Sequence, residues 1–289
     1  MHSREKRTVH HVAILANSHK EETECLVKEM SAYLEMREIS YDIMFTTTFD
    51  EVSSVRESTD FAIILGGDGT VLSCARFLHS RGIPMLAVNL GSFGFITEVG
   101  KDEWKEAFEL WEKGTAHVSR RLMVRVSVMR GDRRVFHSHG LNEVTISSSG
   151  ISKMVLLQLY INDTNGGLFR SDGVIVATPT GSTGYSLAAG GPILDVDLDA
   201  LIINPICAFT LSNRPLVVTG DDVVRIAVLP RQKTQLSLTV DGQVLFPLEE
   251  GDEIIVEKSH SKALLIESTK RNYYEVVRDK LNWSGGMHA

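Results

Sequence analysis

Cysteine is scarce. The 289 residues hold three, Cys25, Cys74 and Cys207, odd in number and far apart, so neither a disulfide framework nor a close-spaced zinc motif is available. Long apolar runs are missing as well. The N-terminal stretch carries basic residues, but its apolar segment is only Val12–Ala16, too short for the core of a signal peptide and far short of a membrane span. Reduced thiols, a cytoplasmic location and no membrane partner follow as expectations. There is also no block of one charge sign. Thirty Lys and Arg stand against 37 Asp and Glu, for a formal net charge of −7, which leaves no global basic surface for nucleic acid. The ten histidines show no H-E-x-x-H spacing, and Ser182 lies in Gly-Ser-Thr-Gly rather than in a G-x-S-x-G elbow, so zinc-enzyme and hydrolase readings lack support. No internal repeat, low-complexity segment or Pro/Ser-rich linker divides the chain.

What is present is a hydrophobic content of 43%, enough for substantial cores. Val12–Ala16 reads as a buried strand, and Leu26, Met30, Tyr33 and Leu34 follow at helical spacing. Tyr41–Phe45 and Phe61–Leu65 are further short runs. Val71, Leu72, Ala75 and Leu78 mark a helix that stops near Gly82 and Pro84, and Met85–Leu90 is the next strand. Strands alternating with helices, several apolar on both faces, predict a doubly wound parallel sheet up to about Lys113. After Gly114 the period changes to two, as in Val124, Val126 and Val128, then Val155, Leu157, Leu159 and Ile161, then Val224, Ile226 and Val228, then Leu236, Leu238 and Val240. Turn chemistry at Asn162–Gly167 and at Asp241–Gly242 separates such runs, and a β-sandwich is the natural architecture. The boundary falls near residues 114–120 and divides the chain into domains 1–118 and 119–289, with a C-terminal tail able to pack back on the first.

Two stretches carry chemistry. In Phe61–Ser73, FAIILGGDGTVLS, a buried strand runs into Gly66, Gly67, Asp68, Gly69 and Thr70 and then a helix. Backbone N–H groups beside a helix N-terminus suit phosphate oxygens. The turn is neither a Walker loop nor the G-x-G-x-x-G fingerprint. An acid at the carboxyl end of a parallel strand faces the crevice where such sheets bind ligands, and can take a hydroxyl proton or orient a metal–phosphate complex. The competing reading makes Asp68 a helix cap. In Ser171–Ile193, SDGVIVATPTGSTGYSLAAGGPI, five of the eight residues from Thr178 to Tyr185 carry a hydroxyl. Clustered hydroxyls and glycines suit a ribose or a diphosphate, and Tyr185 adds a flat apolar face.

These two stretches, with Leu141–Val144 (LNEV) between them, closely resemble the NAD kinase family, and the match runs from about Val12 to beyond Pro215. Lipid kinases share GGDGT; TPTGST with AGGPI is the more specific part. The resemblance implies a Rossmann-like α/β N-terminal domain, an all-β C-terminal β-sandwich domain, and ATP-dependent phosphorylation of the adenosine ribose 2′-hydroxyl of NAD to give NADP. It makes Asp68 the general base, with Gly66, Gly67, Gly69 and Thr70 at the ATP phosphates. It places Asp68, Gly69, Phe95, Asn142, Glu143, Asp172, Thr183 and Tyr185 at NAD. Magnesium is expected to arrive with ATP, since no side-chain cage is visible, and a homodimer or homotetramer is implied, with the NAD site completed near a subunit boundary. Structural readings compete at several positions: a polar kink between strands for Asn142 and Glu143, a core residue for Phe95, a turn residue for Asp172, and a hairpin turn for Asp241 and Gly242. Gly184 departs from the alanine of many members, and Ala208 with Phe209 from their Pro-His. A lipid kinase and a nucleotide sensor without turnover are the alternatives. The first would need a basic amphipathic helix, which is not apparent, and the second would most simply have lost Asp68 or its glycines, which are all present.

Overall fold

The computed structural model describes residues 7–17, 21–46, 55–91, 94–150, 154–209 and 213–282. In chain order the elements are β1 (His11–Asn17), α1 (Glu21–Met36), β2 (Ser40–Thr46), β3 (Phe61–Leu65), α2 (Asp68–Leu78), β4 (Pro84–Asn89), β5 (Val99–Gly100), α3 (Trp104–Glu112) and β6 (Val118–Arg121). Then come β7 (Val124–Arg130), β8 (Arg133–Gly140), β9 (Glu143–Ser148), β10 (Val155–Ile161), β11 (Thr164–Ser171), β12 (Gly173–Ala177), the short α4 (Tyr185–Ala188) and β13 (Ala200–Ile206). The chain closes with β14 (Leu216–Thr219), β15 (Val224–Val228), β16 (Leu236–Val240), β17 (Val244–Leu248), β18 (Glu253–Lys258), β19 (Ala263–Ile266) and α5 (Tyr273–Leu281).

The chain forms two compact units. One comprises Met1–Arg120 with Ala263–Ala289, the other Arg121–Lys262. The first is an α/β unit on a sheet ordered β2-β1-β3-β4-β19-β6, with β5 beside β4. The pairs β1–β2, β1–β3, β3–β4 and β4–β19 are parallel. Its strands are apolar on both sides because helices cover both faces. Alternate residues Val12, Ile14 and Ala16 join Phe61, Ile63 and Leu65 in a core against α1 and α3, where Tyr33, Trp104 and Phe108 pack edge to face. The last described segment returns to this sheet: Leu264 and Leu265 of β19 pair with Pro84 and Met85. Arg271 anchors the stretch between β19 and α5, donating to the Glu98 carbonyl at 2.8 Å and to both carboxylate oxygens of Glu103 at 3.0 and 3.2 Å.

The second unit is a sandwich of two antiparallel sheets, β11-β10-β15-β18-β7-β8 and β14-β13-β12-β9-β16-β17. The period of two read from the sequence is the core-facing set. Val124, Val126, Val128, Leu157, Ile226 and Ile254 of one sheet meet Val144, Ile146, Val174, Leu238 and Val240 of the other. One turn differs in detail from expectation. Only Asn162 and Asp163 connect β10 to β11, Asn162 having φ of 53°, and Thr164–Gly167 already belong to the strand. The hydroxyl-rich stretch after β12 is not an extended loop: Thr180–Thr183 forms a 3₁₀ turn and Tyr185 opens α4.

Candidate active site

In the α/β unit, five fully buried residues of β3 deliver the chain to Gly66. Gly66 N–H donates to the Val88 carbonyl of β4 at 3.1 Å, and a Cβ at this glycine would lie 2.4 Å from Thr70 Oγ1. The turn therefore closes only with glycine there, and Thr70 is the buried wall behind it. Gly67 is the N-cap of α2, no side chain caps the helix, and a Cβ at Gly67 would meet nothing within 4 Å. An uncapped helix start beside open space is the arrangement that accommodates an anion. Asp68 is the first residue of the helix and not its cap, so the capping interpretation of this acid is wrong.

The half-buried Asp68 reaches instead across to residues 94–97. Its Oδ2 accepts the Phe95 N–H at 2.8 Å. Its Oδ1 accepts the N–H groups of Ile96 and Thr97 at 3.2 and 3.0 Å and the Thr97 hydroxyl at 3.0 Å. Four donors fix the carboxylate's orientation. The approach is so close that a Cβ at Gly94 would fall 1.8 Å from Oδ1. Phe95 is half-buried, with the Lys280 ammonium 5.7 Å from its ring centroid. Asn89 and Thr97, 5% and 0% exposed, stand behind Asp68 and were missed by sequence reasoning. The available signal was a glycine-rich segment, NLGSFGFIT, directly after a strand.

The second cluster lies within the sandwich. Asn142 sits in the step from β8 to β9, and Glu143 opens β9. The step is held by Asp241, whose Oδ2 accepts the Leu141 N–H at 3.0 Å and whose Oδ1 accepts those of Asn142 and Glu143 at 2.8 and 3.1 Å. Asp241 and Gly242 do form the expected hairpin turn, with φ of 52° and 65°. The turn acid is nevertheless 6% exposed and serves a segment distant in sequence. Glu143 is 6% exposed, and burial followed by the Asp241 charge pushes its carboxyl up to about 8, against one backbone N–H bond from Tyr185. Glu143 Oε2, Asn142 Oδ1 and Thr180 Oγ1 are buried without hydrogen-bond partners among the described residues. Each such atom costs about 1–3 kcal/mol, and a polar ligand would satisfy them. Gly184 stands beside them: a Cβ there would lie 3.1 Å from Glu143 Oε2 and 3.2 Å from Asn142 Nδ2.

The hydroxyls of the TPTGSTGY stretch divide sharply. Thr178 donates to the Leu141 carbonyl at 2.6 Å, Ser182 accepts the Leu194 N–H at 3.0 Å, and Thr183 donates to the Thr180 carbonyl at 3.1 Å. Thr178 and Ser182 are fully buried, so they tie the segment together rather than lining a ribose site. Thr183 is half-buried, and Tyr185, 47% exposed, presents its ring. Asn142, Glu143, Gly184 and Tyr185 are thus brought together. Asp172 is not among them. It precedes β12, whose register sets Gly173 opposite Ser147 and Ala177 opposite Glu143, so it lies about 17 Å further along the sheet at the usual strand rise. Phe209, 69% exposed, is near that far end, its N–H on the Arg170 carbonyl at 2.9 Å.

Among the described residues there is no group of three or more His, Cys, Asp or Glu side chains that could hold a metal ion, and no helix is long and apolar enough to cross a membrane.

Comparison with known proteins gives the family. Residues 6–117 match the ATP-NAD kinase N-terminal domain and residues 141–268 the ATP-NAD kinase C-terminal domain. An NAD kinase of Treponema denticola is 39% identical over 277 residues, covering 95% of this chain and 96% of that protein, and one of Geotalea daltonii is 38% identical over 282 residues, covering 94% and 98%. Among solved structures, an NAD kinase from Archaeoglobus fulgidus in complex with ATP matches with a TM-score of 0.74 and 26% identity, over 94% of this chain and 98% of that one. Yeast NADH kinase complexed with NADH shares the fold with a TM-score of 0.86 at 24% identity, over 97% and 89%. The chain belongs to the ATP-NAD kinase family, a family of ATP-dependent phosphotransferases.

Proposed function

We propose that the protein transfers the γ-phosphoryl group of ATP to the adenosine ribose 2′-hydroxyl of NAD, giving NADP, with Asp68 as general base. The observation that carries this reading is the Asp68 carboxylate, fixed by four donors at the start of an uncapped helix, in a chain of the ATP-NAD kinase family. Phosphoryl transfer asks little covalent chemistry of the protein and much alignment. Gly66, Gly67 and Gly69 leave room for the phosphates at the head of α2, with Thr70 behind them. Within the sandwich Asn142, Glu143, Thr183 and Tyr185 are assigned to NAD, and within the α/β unit Asp68, Gly69 and Phe95. A positioned base contributes about 10²–10⁴ in rate. A magnesium ion is suited to the ATP phosphates and water, as is usual for this ion, and when bound would neutralise phosphate charge.

Asp172 stands apart from Glu143 along the sheet. A homodimer or homotetramer is part of this reading, with the NAD site, to which Asp172 is assigned, completed near a subunit boundary. The working location is the cytoplasm. Assay of NADP formation from NAD, ATP and magnesium tests the reading. Asp68→Asn is expected to keep its fold and NAD binding and to lose about 10²–10⁴ of turnover; unchanged turnover would remove Asp68 from its role.

A further inference from the structure

The hydrogen bonds behind Asp68 have directions fixed by groups that can only donate. Gly91 N–H donates to Asn89 Oδ1 at 2.6 Å, which orients the amide and turns its Nδ2 toward Thr97 Oγ1, 2.8 Å away. Gly94 N–H donates to the same hydroxyl oxygen at 3.1 Å. A hydroxyl has one hydrogen and two lone pairs. With both lone pairs occupied, the Thr97 hydrogen goes to the remaining neighbour, Asp68 Oδ1 at 3.0 Å. Asn89 and Thr97 are nearly excluded from solvent, where such hydrogen-bond chains polarise one another. The outcome at the carboxylate is asymmetric. Among the described residues, Oδ1 receives three donors, whereas Oδ2 receives the Phe95 N–H alone and keeps acceptor capacity.

We propose that Thr97, oriented by Asn89, is a positioning residue for phosphoryl transfer, holding Oδ1 so that Oδ2 takes the proton of the attacking hydroxyl. The 2′ O–H bond breaks and its proton passes to Oδ2. The oxygen's electron pair forms the new bond to the γ-phosphorus, and the bond from that phosphorus to the bridging oxygen breaks, leaving ADP. This inference rests on Asp68 being the base.

The test is steady-state and single-turnover kinetics of Thr97→Val, Thr97→Ser, Asp68→Asn and the Asp68→Asn/Thr97→Val double variant, with NAD affinity measured by calorimetry. Thr97→Val removes the hydroxyl and keeps the branched shape. It is expected to lower kcat roughly 10- to 100-fold, the worth of one hydrogen bond to a charged group, with KM for NAD within about twofold, because the interaction serves the chemical step. Thr97→Ser restores kcat to within about threefold, as the hydroxyl is regained. In the Asp68→Asn background Thr97→Val adds no further loss, since both act at one point. Full turnover by Thr97→Val beside an inactive Asp68→Asn overturns the relay and spares the base; so does a Thr97 loss that multiplies in full onto Asp68→Asn. Turnover retained by Asp68→Asn overturns the base itself, and the relay with it. If Thr97→Val does not fold, Asn89→Asp serves in its place. Its carboxylate still accepts the Gly91 N–H but draws the Thr97 hydrogen away from Asp68, so the same loss confined to kcat is expected, and an unchanged kcat overturns the proposal.

Discussion

Glu143 meets its surroundings under strain of an electrostatic kind. Its carboxyl is buried, one oxygen has no partner among the described residues, and the Asp241 charge lies close by. Burial and that charge raise the carboxyl from 4.5 to about 8. Between these values the folded protein keeps a proton that the unfolded chain has released. The unfolded state then binds fewer protons, so stability falls as pH rises from about 4.5 to about 8 and is level above it. Glu143→Gln removes this slope. Melting curves of the ligand-free proteins should show the variant gaining on the wild type as the pH climbs through that window. Parallel pH profiles would mean that the side chain is solvated after all. Gly184 belongs to the same neighbourhood, since an alanine methyl there would press on both Glu143 Oε2 and Asn142 Nδ2.

At the scale of elements, the β16–β17 hairpin does more than reverse the chain. Asp241 takes three consecutive N–H groups at the β8–β9 step and thereby sets where Asn142 and Glu143 stand. Asp241→Asn keeps the size and the left-handed turn, which asparagine tolerates, but sets an amide N–H against at least one of those donors. We expect a loss of stability of about 1–3 kcal/mol and a roughly tenfold weaker NAD affinity, with kcat lowered less. An affinity equal to wild type in a destabilised variant would confine Asp241 to folding. The same hairpin shows why sequence goes only part of the way. Buried strands such as β3 and the alternating strands of the sandwich are legible because burial writes itself as apolar runs at a fixed period. The Gly-Gly-Asp-Gly-Thr turn stands out in the same way, as a buried strand running into glycines and one acid. Asp241, by contrast, has a turn signal that fully accounts for it, and the amides it holds lie a hundred positions away. Thr97 and Asn89 are ordinary residues until the fold brings Asp68 against the segment that connects β4 to β5. The hydroxyls of Thr178 and Ser182 looked like ligands for a ribose because composition does not reveal which carbonyls and N–H groups are already within reach.

For the whole molecule, connectivity sets what can fold alone. The sandwich is one continuous segment, Arg121–Lys262, and both of its sheets are complete within it. Its ends are tied locally, Ser259 N–H donating to the Met123 carbonyl at 2.8 Å. The α/β unit is discontinuous: β19, from beyond the sandwich, lies between β4 and β6 in its sheet. The two halves should therefore respond differently to truncation. A fragment of residues 121–262 is expected to fold cooperatively, as a unit with its own core does, and to retain the Asp241 bonds to Leu141, Asn142 and Glu143 as amides protected from hydrogen exchange. A chain ending at Lys262 loses the strand between β4 and β6 together with the Arg271 anchor on Glu103 and Glu98. Its α/β half should melt first or fail to fold while the sandwich persists, giving two separate transitions by calorimetry. A single transition like that of the full chain, with β4 amides still protected, would show that the returning strand is dispensable. Loss of both halves together would show that the sandwich depends on the α/β unit despite owning every strand of its core.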